Sequence, residues 1–187
     1  MRKLSYIPIL FAVAGLIPLP TMRAGELKLE PGFKLLFNGK NLDGWQPKGK
    51  KDKLDGKTEA FKGRFKVENG MLVIDYVMKG NAYIETQAKF ADDVRIKFDF
   101  NPGEKCNNDL FLRGTKFDIV VDSKSKELKA VKKGEWNTMD VIVTGDKIEH
   151  KINGVTARKS KAKAGASTFV LRAEFGAISI KNIRVKQ

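Results

Sequence analysis

The chain has 187 residues, enough for one domain with a sizeable core. Lys and Arg number 36 against 22 Asp and Glu, and the formal net charge of +14 favours acidic partners such as anionic glycans, envelope polymers or nucleic acid. Lysine is spread along the whole chain and no nucleic-acid module signature occurs, so nucleic acid is set aside in favour of an extracellular polymer, and the single cysteine excludes an internal disulfide.

Residues 1–24 read as a secretory signal peptide. Met1-Arg2-Lys3 is a basic start, Leu4–Pro20 is almost wholly apolar, and Thr21-Met22-Arg23-Ala24 ends in a small residue suited to cleavage. The apolar run is too short and too broken by proline for a membrane span. Cleavage after Ala24 removes Arg2, Lys3 and Arg23 and lowers the charge from +14 to +11. The expected mature domain, residues 25–187, has no transmembrane segment, and its destination is the periplasm or the medium.

Phe33–Phe37 is a short apolar strand that runs through Asn38-Gly39 and Asp43-Gly44 turns to Trp45. That tryptophan either stacks on a sugar or plugs one end of a sandwich, the plug being the commoner arrangement. Gln46–Lys62 is lysine-rich and poor in apolar residues, and reads as a mobile loop. Arg64–Tyr76 is a hairpin about Asn69-Gly70, the strongest short hairpin signal. Ala82–Thr86 is a short strand. Val94–Phe100 alternates cleanly, with Val94, Ile96, Phe98 and Phe100 against Arg95, Lys97 and Asp99. Asp122–Lys133 is polar, with room for one weak strand. Met139–Thr144 and Lys147–Ile152 meet at Gly145-Asp146, and Asn153-Gly154 turns again, which makes a meander. Thr168–Glu174 and Ala177–Val185 close the fold. No window after residue 24 has convincing helical periodicity. Many short strands with frequent turns define an all-β chain, a β-sandwich or jelly roll.

The organising stretch is Asn107–Asp122. If Gly114-Thr115 is a two-residue loop, Arg113 faces Lys116 and Phe111 faces Asp118. Leu110, Leu112, Phe117, Ile119 and Val121 then share an apolar face, which must be core. Asp109, Phe111, Arg113, Lys116, Asp118, Val120 and Asp122 share the other. That second face is either a solvated surface of ion pairs or a site for a polar ligand, since it sets carboxylates and a guanidinium beside an aromatic ring.

The chain holds no phosphate-cradling glycine loop, no His-Glu-x-x-His, no Cys-x-x-Cys and no Gly-x-Ser-x-Gly. His150 shares strand parity with Ile148 and Ile152 and reads as a packed histidine. Cys106 reads as a half-buried, inert thiol. Carboxylate chemistry remains, from Asp109, Asp118, Asp122, Glu135, Asp140 and Glu174. Paired carboxylates serve as general acid and base or hold calcium together with backbone oxygens, so a divalent cation stays open as a cofactor.

The order of these segments resembles the 3-keto-disaccharide hydrolase domain family of exported bacterial proteins. The resemblance rests on Gly32–Trp45, the Phe65–Val73 hairpin, Asn107–Arg113, Gly134-Glu135-Trp136-Asn137, Ile152-Asn153-Gly154 and Ile180–Arg184, and covers nearly all of Gly32–Lys186. It implies a concanavalin A-like jelly roll and cleavage of 3-keto glycosides, by hydrolysis or by elimination and hydration. A ketone at C3 acidifies the C2 hydrogen; a base removes it and the C1 substituent departs. Through the resemblance Asp118 is the expected base, Arg113 the stabiliser of developing negative charge, and Asp109 or Glu135 the acid or a metal ligand. Phe111, Lys116 and Asp122 are expected to bind the sugar. The chain departs from the family at three places. Asp118-Ile119-Val120 stands where a Glu-x-Gln pair is typical, Asn107-Asn108-Asp109 where Asn-Ser-Gly is common, and the insertion before Gly134 is missing. A non-catalytic module for envelope or extracellular polysaccharide is the alternative.

Overall fold

A computed structural model describes residues 27–75, 80–91, 93–121 and 123–187. The expected signal peptide and the candidate Asp122 lie outside the described residues. Strands form where the sequence alternates between tight turns. They are β1 (Lys34–Leu35), β2 (Trp45–Pro47), β3 (Glu59–Ala60), β4 (Phe65–Glu68), β5 (Met71–Ile74), β6 (Ala82–Thr86) and β7 (Val94–Pro102). The second half adds β8 (Asn107–Leu112), β9 (Thr115–Val120), β10 (Asn137–Thr144), β11 (Lys147–Ile152), β12 (Val155–Lys161), β13 (Val170–Phe175) and β14 (Ile178–Lys186).

These strands build two antiparallel sheets, a concanavalin A-like jelly-roll β-sandwich. A nine-stranded sheet runs β12-β11-β10-β7-β14-β5-β4-β3, with β1 also on β14, and a five-stranded sheet runs β2-β6-β13-β8-β9. Alternation decides what lies between them. Val94, Ile96, Phe98 and Phe100 of β7 are buried, and so are Leu110, Leu112, Phe117 and Ile119 of the β8–β9 hairpin. Phe98 meets Phe169 with centroids 6.1 Å apart, and Phe117 stacks on His150 at 4.6 Å. Each large apolar side chain so buried contributes about 1.5–3 kcal/mol, and a chain with no disulfide draws its stability from these.

Trp45 is the plug. It is fully buried, meets Phe169 edge-on at 6.2 Å, and its indole N–H donates to the Leu36 carbonyl at 2.9 Å. The segment expected as a mobile loop, Gln46–Lys62, is instead tied down. It contains the end of β2 and all of β3, and Leu54 donates to the Trp45 carbonyl at 2.9 Å. Asp55 accepts from Gly44 N and from Gln87 Nε2, each at 2.8 Å. Composition marked it as loop because its anchors are backbone groups and short-range turns, not apolar side chains. Between β9 and β10 the described residues hold no strand, only a 3-10 turn at Lys126–Leu128 capped by Ser125 Oγ.

Cys106 is wholly buried rather than half-buried, with Sγ 3.5 Å from the Ile119 carbonyl, and burial pushes its thiol up to about 11. His150 points into the core with Ile148 and Ile152. Burial, helped by the nearby Arg158 charge, pulls it down to about 3.

Candidate active site

The β8–β9 hairpin closes one residue earlier than the sequence suggests. Arg113 and Gly114 form the turn, with φ of 48° and 72°, as a type I′ turn requires. Leu112 therefore pairs with Thr115, Phe111 with Lys116, and Asp109 with Asp118. The division into apolar and polar faces survives, because this shift preserves parity. The arginine does not stay on the polar face. Its left-handed backbone turns the side chain away, where Nε donates to the Lys163 carbonyl at 2.8 Å and Nη1 to the Ala91 carbonyl at 2.7 Å. These bonds, and Ser167 Oγ accepting from Arg113 N at 2.9 Å, offset a backbone conformation that non-glycine residues avoid. Arg113 is thus a brace between loops and does not join Asp109 and Asp118.

Another arginine takes that place. β13 lies between β6 and β8, and its register sets Tyr83, Arg172, Asp109 and Asp118 in one row across four strands. The Arg172 guanidinium forms ion pairs with Asp109 and with Glu174. The ladder is irregular between Arg172 and Phe175, and Asn108 fills the gap. Its Oδ1 accepts from Glu174 N at 2.9 Å, while Nδ2 donates to the Phe175 and Gly176 carbonyls at 3.2 and 3.1 Å. Buried Arg64 holds the same strand end by donating to the Ala173 and Glu174 carbonyls at 2.9 and 3.1 Å.

The two carboxyls behave differently. The Asp109 side chain is 0% exposed and that of Asp118 is 37% exposed. Burial first, then the neighbouring Asp118 carboxyl, pushes Asp109 up to about 7. For Asp118, burial acts upward but is outweighed by the adjoining Asp109 carboxyl and the hydrogen bond from Lys116, so it stays below the usual range. The hidden acid therefore holds a proton more tightly than the accessible one. The Lys116 ammonium bonds Asp118 and lies 3.8 Å from Asp109, with its side chain 43% exposed.

Next to this row stands an aromatic pair. Tyr83 and Phe111 lean toward each other across β13, with centroids 6.3 Å apart. Of the sugar-binding candidates, Phe111 and Lys116 are therefore on this face. Glu135 is not brought there; it lies on the exposed turn before β10, 4.0 Å from Lys132. Arg172 and Tyr83 were missed, and Glu174 was named only as one of six carboxylates without a place. Their alternation with Leu171, Ala173 and Ile84 was legible, but which strands flank β8 was not.

A cleft of about 620 Å3 lies elsewhere, between Pro102-Gly103, Lys105, Gly134 and Ala177 at one end of the sandwich. Among the described residues Glu104 is the one carboxylate that lines it, whereas the sheet face sets two acids opposite each other. The described residues contain no cluster of three or more His, Cys, Asp or Glu side chains that could hold a metal ion, and no helix long and apolar enough to cross a membrane.

A jelly roll with ionisable and aromatic side chains gathered on one sheet face is the architecture of a carbohydrate-active domain. The chain belongs to the 3-keto-alpha-glucoside-1,2-lyase-like domain family, whose sequence model matches residues 32–125 and 118–186. It is similar in structure to a "putative glycosyl hydrolase" from Parabacteroides distasonis, with TM-score 0.65 and 19% identity over 83% of this chain and 93% of that one. A second protein of that description from the same organism gives TM-score 0.57 and 16% identity over 76% and 98% of the two chains. A Bacillus subtilis protein with a galectin-like fold gives 0.51 and 12% over 66% and 85%. At these identities the likeness is one of fold. No curated protein matches the sequence.

Proposed function

We propose that the chain is an exported carbohydrate-active enzyme that cleaves 3-keto glycosides at the outer face of the five-stranded sheet. The observation that carries this reading is the opposed pair Asp109 and Asp118, one hidden and the other open to solvent, flanked by Arg172 and Lys116. Asp118 takes the C2 proton of the 3-keto sugar. The electron pair of the C–H bond forms an enolate, and the exposed Lys116 ammonium, backed by Arg172, offsets its charge. Expulsion of the C1 oxygen then gives an unsaturated ketone, and the departing oxygen takes the proton that Asp118 removed from C2, which returns Asp118 to its ionised form. Water added across the double bond completes hydrolysis. Asp109 touches no substrate in this scheme; its buried carboxyl, directly opposite Asp118, sets the acidity of that group. Residues 1–24 serve as the leader and residues 25–187 as one jelly-roll unit.

A non-catalytic sugar-binding module is the second reading, favoured by the Tyr83–Phe111 pair on an open face. One experiment separates the two. Chromogenic 3-keto-glucosides are incubated with the wild type and with Asp118→Asn, with and without calcium. Release by the wild type and loss in the variant supports the enzyme. Equal release by both refutes Asp118 as base, and release by neither refutes the enzyme reading.

A further inference from the structure

We infer that the sugar bound on this face carries an anionic group, a carboxylate or sulfate, and that Lys48 recognises it. The inference rests on the carbohydrate reading of the face, whether or not catalysis follows. Lys48 projects over the aromatic pair, its ammonium 5.1 Å from the Tyr83 centroid and 5.3 Å from that of Phe111. The arrangement is built from both sides. Lys48 N donates to the Tyr83 carbonyl at 3.1 Å. The next amide, Gly49 N, donates to Glu85 Oε1 at 3.1 Å. Glu85 is itself buried and held by Gln46 Nε2 at 3.0 Å and Thr168 Oγ1 at 2.9 Å. A buried carboxylate thus fixes the backbone of the strand end that delivers the lysine.

The charges of the face are otherwise matched. Arg172 pairs with Glu174, and Lys116 with Asp118. Among the described residues Lys48 makes no close ion pair; its nearest contacts are the two rings, and the one carboxylate its charge acts on, Glu85, is buried and already held by three hydrogen bonds. Three more lysines, Lys50, Lys51 and Lys53, follow it on the same segment and keep the local field positive. A sugar ring that stacks its C–H face on these rings displaces the ammonium from above them, and the displaced cation finds an accessible partner only if the sugar supplies one. A uronate or sulfated sugar does so; a neutral glucoside leaves the displaced ammonium with no anion to meet.

The test uses two ligands that differ at one position, 4-nitrophenyl β-glucuronide and 4-nitrophenyl β-glucoside, with binding followed by calorimetry or NMR. The wild type is expected to bind the glucuronide about fivefold more tightly, the size of an exposed ion pair, and the gap should close in high salt. Lys48→Met keeps the apolar stem and is expected to erase the preference while glucoside binding persists. Phe111→Ala should weaken both ligands together. Equal binding by the wild type, or a preference that survives in Lys48→Met, overturns the inference alone. Binding of neither ligand overturns the carbohydrate reading along with it.

Discussion

Asp109 and Asp118 stand directly opposite each other across the β8–β9 ladder, yet only Asp118 reaches solvent. Two carboxyls in register cannot both ionise cheaply, and the buried one keeps the proton. The unequal exposure is what assigns separate roles to two identical side chains.

Asp118→Asn removes the proposed base. Release from a 3-keto glucoside should fall by roughly 10²–10⁴-fold, the usual contribution of a general base, while the melting temperature stays close to that of the wild type. Kinetics and thermal unfolding on the same preparations check this.

Asp109→Asn leaves a neutral amide where Asp109 holds its proton. The wild type should change activity as pH rises through about 7, where Asp109 ionises and sets a second negative charge opposite Asp118. In the variant that transition should move away from 7. A pH profile of kcat reads it directly.

Lowered carboxyls such as Glu30, Glu85 and Asp118 lose stability as the solution turns strongly acid, and above that range two large shifts oppose each other. Asp109 is raised from 3.8 to about 7, so the native state binds the extra proton, and stability from this group falls as pH rises across that interval. His150 is lowered from 6.5 to about 3, so the unfolded state binds the extra proton there, and stability from this group is lost as pH falls. The two slopes have opposite sign over most of the same window and partly cancel. Asp109→Asn should unmask a profile that rises with pH, and His150→Phe one that falls. Melting temperatures from pH 4 to 7 would show both.

Arg113→Ala should cost about 2 kcal/mol in stability, because it strips donors from the Ala91 and Lys163 carbonyls, and should leave turnover per folded molecule unchanged. Arg172→Met should act the other way on function. Loss of that cation raises Asp109 further and abolishes the balance within the row. Denaturation midpoints beside kcat for the pair of variants distinguish the brace from the site.

Much of the sandwich was written in local pattern. Asn69-Gly70 and Asn153-Gly154 turn with positive φ at both residues, as their sequence demands, and Ala82–Thr86 and Lys147–Ile152 form strands at the expected bounds. The apolar face of the β8–β9 hairpin follows from alternation alone. The turn did not, because Arg113-Gly114 and Gly114-Thr115 are both two-residue closures, and only the loop carbonyls that receive the guanidinium favour the first. Arg172 was hidden for a similar reason. β13 sits beside β8 across nearly sixty residues of chain, and no local periodicity reports a pairing at that separation.

β9 is the outermost strand of its sheet, and Lys116 and Asp118 project from it. A ligand held there is gripped from one flank only. Whatever is attached beyond the reacting ring can hang over the rim into water. A sugar bound there need not be threaded by its end into a tunnel, and long chains and short substituents alike have room.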